Sequence, residues 1–250
     1  MYQEERLLKI LEYLNENNNM SIHTICEMFN VSRDTARRDI LKLIEQGTVI
    51  RTHGGISLPI LKNKIKAYRE RIEAYSEEKS RIAKKALEFI NEDEHYFFDV
   101  STNVRLLSEY IDKRVLVFTH SLDNIEILSE KEDVSVHSIG GCLNKKNRFF
   151  YKLDCIDYLN GIRFDTAFLG AASINEDGLY YVDEEDAFIK QISVKKSTKV
   201  IILAEYEKFK RSSYYKGVSW EQIDIIITDK MPPSTFVDII ESYDIELIII

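Results

Sequence analysis

With 250 residues, 44% of them hydrophobic and 30% charged, the chain is long for one small domain and has the composition of an ordinary folded protein. Its apolar runs fall far short of the ~18 residues that span a bilayer, and three prolines and nine glycines exclude a low-complexity chain. The net charge of −8 argues against a coat for nucleic acid or an anionic membrane, but it is unevenly placed: 7 basic and 8 acidic side chains over 1–60, 9 and 4 over 61–86, 18 and 30 over 87–250.

Met1 to Arg6 lack the basic, apolar and cleavage segments of a secretory signal, so a cytosolic protein is expected. Leu7, Ile10, Leu11 and Leu14 follow the i, i+3, i+4, i+7 rule and predict a helix from Gln3 to about Glu16, ended by Asn17-Asn18-Asn19. Ser21 caps a second helix with Ile22, Ile25, Cys26 and Phe29 inside. After a break at Asn30-Val31, Ser32 caps a third, with Ala36, Ile40, Leu43 and Ile44 inside, which Gly47 stops. Thr48 to Thr52 is extended, His53-Gly54-Gly55 turns, and Ile56 to Leu58 returns, forming a two-stranded wing. The domain boundaries expected are a winged helix-turn-helix over 1–58, a basic linker over 59–75 and a larger domain over 76–250.

In that larger domain helices and short apolar strands alternate. Helices are predicted over Glu77–Ile90, Val104–Tyr110, Leu122–Leu128, about Glu184–Lys196 and Ser234–Ser242. Strands are predicted over His95–Val100, Val115–Thr119, Val134–Ile139, Thr166–Leu169, Val200–Ala204, Ile223–Thr228 and Ile245–Ile249. Such alternation predicts a mainly parallel α/β sheet with helices on both faces, and ligands at the carboxyl ends of its strands. Cys26, Cys142 and Cys155 are widely spaced without a C-x-x-C pair, so neither a disulfide framework nor a zinc site is indicated, and each reads as a small buried or half-buried side chain. No His or carboxylate cluster has metal-ligand spacing, so no metal or cofactor is expected.

The helix after Ser32 carries Arg33, Arg37 and Arg38 near its start. A guanidinium fork pairs with guanine edges or phosphate oxygens, and the Ser32 and Thr35 hydroxyls with the helix amino end can hold phosphate. A competing reading pairs Asp34 with Arg38, or Asp39 with an arginine, as solvated ion pairs. Arg51 and His53 in the wing form a second basic point beside a glycine pair that admits close backbone approach.

Ser32-Arg33-Asp34-Thr35-Ala36-Arg37-Arg38-Asp39-Ile40, then Gly47, then Arg51-Thr52-His53-Gly54-Gly55-Ile56, resembles the DeoR-type transcriptional repressors, whose pattern is S-x-x-T-[IVA]-R-R-D-[IL] followed by R-x-H-G-G. The resemblance implies contact with double-stranded operator DNA through Thr35, Arg37, Arg38, Arg51 and His53. It also implies a sensor domain similar in fold to ribose-5-phosphate isomerase that binds a phosphorylated sugar, no catalysis, and a homodimer or homotetramer. It extends over Asp99, Ser101, Thr102, Asn103, His120, Ser121, Gly140, Gly141, Lys190, Glu205 and Lys208, which become effector-site candidates.

Read from the residues alone, Ser101, Thr102 and Asn103 follow a strand and open a helix whose N–H groups can cradle phosphate. Gly140-Gly141 admit a ligand, and Lys190 and Lys208 supply charge. The alternatives are an N-cap, a tight turn and two surface lysines. The chain departs from the family where D-x-G-T-T becomes Asp99-Val100-Ser101-Thr102-Asn103, where T-N-[ST] becomes Thr119-His120-Ser121, and where the acid before the lysine is Glu205. Ser101 then fills space a phosphate would occupy. Three functions compete: a repressor controlled by a sugar phosphate, a DNA-binding regulator whose second domain takes a non-phosphorylated ligand or only oligomerises, and a sugar-phosphate isomerase-like enzyme using Asp99, His120, Glu205 and Lys208.

Overall fold

A computed structural model of the chain describes residues 3–17, 19–46, 48–52, 55–57, 77–152 and 155–250. Gly47, His53, Gly54 and the expected linker 59–75 lie outside the described residues. The chain divides into two compact units, each described by itself below.

The first unit comprises α1 (Gln3–Asn17), β1 (Asn19–Ser21), α2 (Ile22–Phe29), α3 (Arg33–Glu45), β2 (Ile50–Thr52) and β3 (Gly55–Ser57). The Ser21 hydroxyl accepts from Thr24 N–H at 3.0 Å and the Ser32 hydroxyl from Thr35 N–H at 3.2 Å, so both predicted N-caps form. Between them Asn30 turns the chain at φ 49°, a left-handed position that asparagine tolerates. Leu7, Ile10, Leu14, Ile25, Phe29, Ala36, Ile40 and Leu43 form the core with Met20, Val49 and Ile56, while Leu11, Ile22, Cys26 and Ile44 pack half-buried around it. The sheet has three strands rather than two: β1 pairs antiparallel with β3, in the order β1-β3-β2. A Cβ at Gly55 would stand 2.2 Å from the Met20 carbonyl oxygen, so the pairing with β1 requires glycine here.

The second unit is built on seven parallel strands: β4 (His95–Phe98), β5 (Val115–Thr119), β6 (Val134–Ser138), β9 (Phe164–Leu169), β12 (Ser197–Leu203), β14 (Ile225–Thr228) and β15 (Glu246–Ile249), in the order β15-β14-β12-β9-β4-β5-β6. The apolar runs of its central strands are buried on both faces. Phe97, Ala167, Ile202 and Ile226 enter one core layer, and their neighbours Phe98, Phe168, Ile201 and Ile225 enter the other. The connecting helices are α4 (Glu77–Ala86), α5 (Thr102–Tyr110), α6 (Leu122–Ser129), α7 (Cys155–Asn160), α8 (Glu184–Lys195) and α9 (Ser234–Ser242). The helix expected to reach Ile90 tightens to a 3-10 turn at Leu87–Phe89, and the strand expected to reach Val100 stops at Phe98, where the loop of Asp99 begins.

The remaining strands, absent from the sequence reading, are the antiparallel hairpin β7 (Cys142–Asn144) and β8 (Phe149–Tyr151), and a small sheet of β10 (Ser173–Asn175), β11 (Gly178–Tyr181) and β13 (Tyr215–Val218). Cys142, expected at least half-buried, is exposed because β7 has a largely solvent-facing pattern. The Cys155 side chain lies outside the described residues. Among the described residues no helix is long and apolar enough to cross a membrane.

Candidate functional site

The outer face of α3 is the first candidate. Ser32, Arg33, Arg37 and Arg38 are exposed, as is Arg51 on β2, and Thr35 is half-buried with its hydroxyl 3.0 Å from that of Ser32. Neither Asp34–Arg38 nor any other ion pair forms with these four arginines among the described residues, so the guanidiniums stand free for an external acceptor. Asp39 does the opposite of a solvated pair. It is fully buried, and its carboxylate accepts from Arg6 Nε at 2.8 Å, Arg6 Nη2 at 3.2 Å and Gln3 Nε2 at 2.9 Å, tying α1 to α3. The hydrogen bond to Asp39 raises the Arg6 guanidinium above its ordinary range. The signature aspartate thus sets the pose of the arginine-bearing helix instead of meeting solvent.

The second candidate is a cleft at the carboxyl ends of β4 and β9. Val100 and Ser101 border it from the loop after β4, Gly170 to Ala172 from the loop after β9, Asn147 and Phe149 from the β7–β8 hairpin, Tyr181 from β11, and Asp183, Asp186 and Lys190 from the start of α8. Beneath it lies a buried ionic network. The Lys190 ammonium stands 3.0 Å from Asp99 Oδ2 and 2.9 Å from Asp186 Oδ2, and 3.8 Å from the centroid of the Tyr181 ring. Asp99 also accepts from the N–H groups of Ser101 and Gly170, each at 2.8 Å, which fixes both loops bordering the cleft. Burial alone would raise the Asp186 carboxyl, but Lys190 and His120 outweigh it and hold it at about 2. Tyr181, raised well above its ordinary range by burial and then by Asp99 and Asp186, stays protonated and donates to the Gly170 carbonyl at 3.0 Å.

Of the residues expected from sequence, Ser101 and Lys190 border the cleft and Asp99 lies directly under it. Ser101 caps α5, accepting from Val104 N–H at 3.2 Å, and its side chain occupies the space beside Gly170, where a Cβ would meet Ser101 Cβ at 2.3 Å. Thr102 opens α5, half-buried. His120 is fully buried behind the cleft, Nε2 2.8 Å from Asp186 Oδ1, its ring stacked on Phe97. Because ionised Asp186 accepts from Nε2, that nitrogen carries the proton, and buried Nδ1 has no hydrogen-bond partner among the described residues.

Ser121 caps α6 through Asn124 N–H. Gly140 and Gly141 do not border the cleft; Gly141, at φ 109°, approaches the Tyr151 carbonyl of the hairpin so closely that a Cβ would sit 2.3 Å away. Neither lysine is a surface residue: Lys190 and Lys208 are 2% and 8% exposed.

Glu205, Lys208 and Asn103 form a separate cluster. Asn103 Nδ2 donates to the Leu203 carbonyl at 2.9 Å and to Glu205 Oε2 at 3.0 Å, and Lys79 lies 3.9 Å from Glu205 Oε1. Burial pushes the Glu205 carboxyl up, but the charges of Lys208 and Lys79 and the Asn103 hydrogen bond bring it below its ordinary value. Sequence reasoning missed Asp183, Asp186, Asn147 and Tyr181. Only Asp186 carried a usable signal, its i, i+4 spacing to Lys190. Among the described residues no group of three or more His, Cys, Asp or Glu is placed to hold a metal.

Residues 6–60 match the family described as the DeoR-like helix-turn-helix domain, and residues 74–230 match the DeoR C terminal sensor domain. The chain is similar to the HTH-type transcriptional repressor GlcR of Bacillus subtilis, 36% identical over 100% of this chain and 97% of that one. It is also similar to the glycerol-3-phosphate regulon repressor of Escherichia coli, 28% identical over 99% of each. Among solved structures, ribose 5-phosphate isomerase A from Neisseria gonorrhoeae is matched over 54% of this chain and 53% of its own at 20% identity and a TM-score of 0.38, a likeness too slight to carry an argument.

Proposed function

This chain belongs to the DeoR family of transcriptional regulators, and from that premise we propose that it is an operator-binding repressor whose carboxy-terminal domain senses a phosphorylated sugar or related metabolite of carbohydrate use. The observation that carries the DNA-binding half is the set of three arginines without an ion pair among the described residues, Arg33, Arg37 and Arg38, on the exposed first turns of α3, a helix locked to α1 by Arg6 and Asp39. His53 joins Arg51 as the wing contact. The protein acts as a homodimer or homotetramer, so that two heads read two half-sites.

For the sensor half, the cleft supplies the position and the start of α5 the phosphate subsite, where first-turn N–H groups near Thr102 and Asn103 meet an anion. An isomerase-like enzyme is the weaker reading: Glu205 and Lys208 do not border the cleft over Asp99 and Lys190, so the acid–base groups it needs are spread over two places. Fluorescence anisotropy with DNA from upstream of the chain's own gene, titrated with salt, tests the regulator reading. Specific binding that weakens as salt rises supports it, and affinity equal to that for unrelated DNA of the same length refutes it.

A further inference from the structure

Asp183 is the one carboxylate on the cleft wall whose hydrogen-bond partners are all neutral. Its oxygens accept from Asn144 Nδ2 at 3.2 Å and Asn147 Nδ2 at 2.7 Å, both from the β7–β8 hairpin, and no lysine or arginine among the described residues pairs with it. It occupies the N-cap position of α8 without making a side-chain capping bond, so the helix N–H groups do not claim its oxygens either. The next carboxylate along the wall, Asp186, is already served by Lys190 and His120, and Lys190 is divided between Asp186 and Asp99. The cleft and the network beneath it therefore hold three carboxylates, Asp99, Asp183 and Asp186, against one lysine. A half-buried carboxylate held by two amides and lacking a counter-ion is poised for a cation supplied from outside. Burial, and then the charge of Asp186, push its carboxyl above the ordinary range, the cost an incoming cation would remove.

Resting on the reading of this cleft as the effector site, we propose that the effector carries a protonated amine, as an amino sugar does, and that Asp183 is its counter-ion and the specificity-determining residue. A sugar hydroxyl could also donate to Asp183, but it would leave the negative charge uncompensated. The amine neutralises it and adds charge to the hydrogen bond. A phosphate has no place on this wall, where Asp183 and Asp186 would repel it. In a phosphorylated amino sugar it points the other way, toward Ser101 and the start of α5.

Isothermal titration of the full chain with glucosamine and glucosamine 6-phosphate, each against its glucose counterpart, and with N-acetylglucosamine 6-phosphate, tests this. An amine-bearing sugar should bind at least ~10-fold tighter than its hydroxyl and N-acetyl counterparts, and Asp183→Asn should erase roughly 10- to 100-fold of that preference. The same ligand should release wild-type protein from operator DNA. Equal affinity for the amine and hydroxyl members of a pair, or an undiminished preference in Asp183→Asn, overturns the inference and leaves the sensor reading standing. If no sugar of the panel binds, both fall. The comparison within wild type stands whether or not the variant folds.

Discussion

The buried pair of Arg6 and Asp39 makes a quantitative test of how the reading helix is held. Their side chains are 10% and 0% exposed, and three hydrogen bonds from Gln3 and Arg6 converge on the Asp39 carboxylate. Asp39→Ala removes all three and takes the carboxylate away from a covered guanidinium; breaking a buried pair in this way costs about 3–5 kcal/mol in a deep core. Here the covering layer is only three helices and a three-stranded sheet, so water reaches the pair more easily, and the expected loss is about 2–3 kcal/mol. Hydrogen exchange of the α1 and α3 amides in the full chain reads this as opening about 30- to 160-fold more frequent. Replacing both partners with apolar residues of similar size, Arg6→Met with Asp39→Leu, should recover most of the loss, since neither charge is then stranded. Exchange within threefold of wild type in Asp39→Ala alone would refute a role for this pair, beside the apolar core, in fixing α3 against α1.

Arg37→Ala and Arg38→Ala should each weaken operator binding by ~1–3 kcal/mol while leaving the melting temperature unchanged, since both side chains are exposed and unpaired; a drop in melting temperature with unaltered binding would reverse the assignment. Gly170→Ala places a Cβ 2.3 Å from Ser101 Cβ and should destabilise the second unit by ~1–3 kcal/mol, and adding Ser101→Gly should restore most of it, because the next neighbour, the Leu203 carbonyl oxygen, is at 3.6 Å; additive losses in a denaturation cycle would contradict this packing. The Asp186 carboxyl is depressed from 3.8 to about 2 in the fold. Its contribution of ~2 kcal/mol is complete above its unfolded pKa and is lost as pH falls toward 2. Wild type should thus lose about 2 kcal/mol more than Asp186→Asn between pH 5 and pH 2, and parallel curves would rule that contribution out.

The helices of the first unit and the seven parallel strands were legible because each repeats a single period long enough to see: 3.6 residues with a serine cap at Ser21 or Ser32, or an unbroken apolar run such as Val200 to Leu203. What stayed hidden has no period of its own. β1 is three residues, Asn19-Met20-Ser21, and becomes a strand only because Ile56 and its neighbours pair with it 36 positions later. Asp39 lies one place from Ile40 on the inner face, but polarity alone made it read as solvated, and its burial depends on Arg6, 33 residues away. Asp183 likewise owes its lack of a counter-ion to where the β7–β8 hairpin delivers two asparagines.

Ser101 shows the same limit at a residue that sequence did single out. At the departure from the family glycine the serine borders the cleft and is at the same time held by its neighbours. In the fold its hydroxyl caps its own helix and its Cβ settles against Gly170, on the neighbouring strand's loop, which has no side chain to displace. The space was available because of a second glycine 69 positions away, so the departure and its accommodation form one packing unit. Ser101→Gly alone, with Gly170 kept, then opens a void beside a retained glycine instead of restoring a phosphate site. It should lower stability through the lost cap by ~1 kcal/mol without tightening any sugar phosphate. A gain of tenfold or more in affinity for a sugar phosphate in that variant would show that the serine does occupy ligand space.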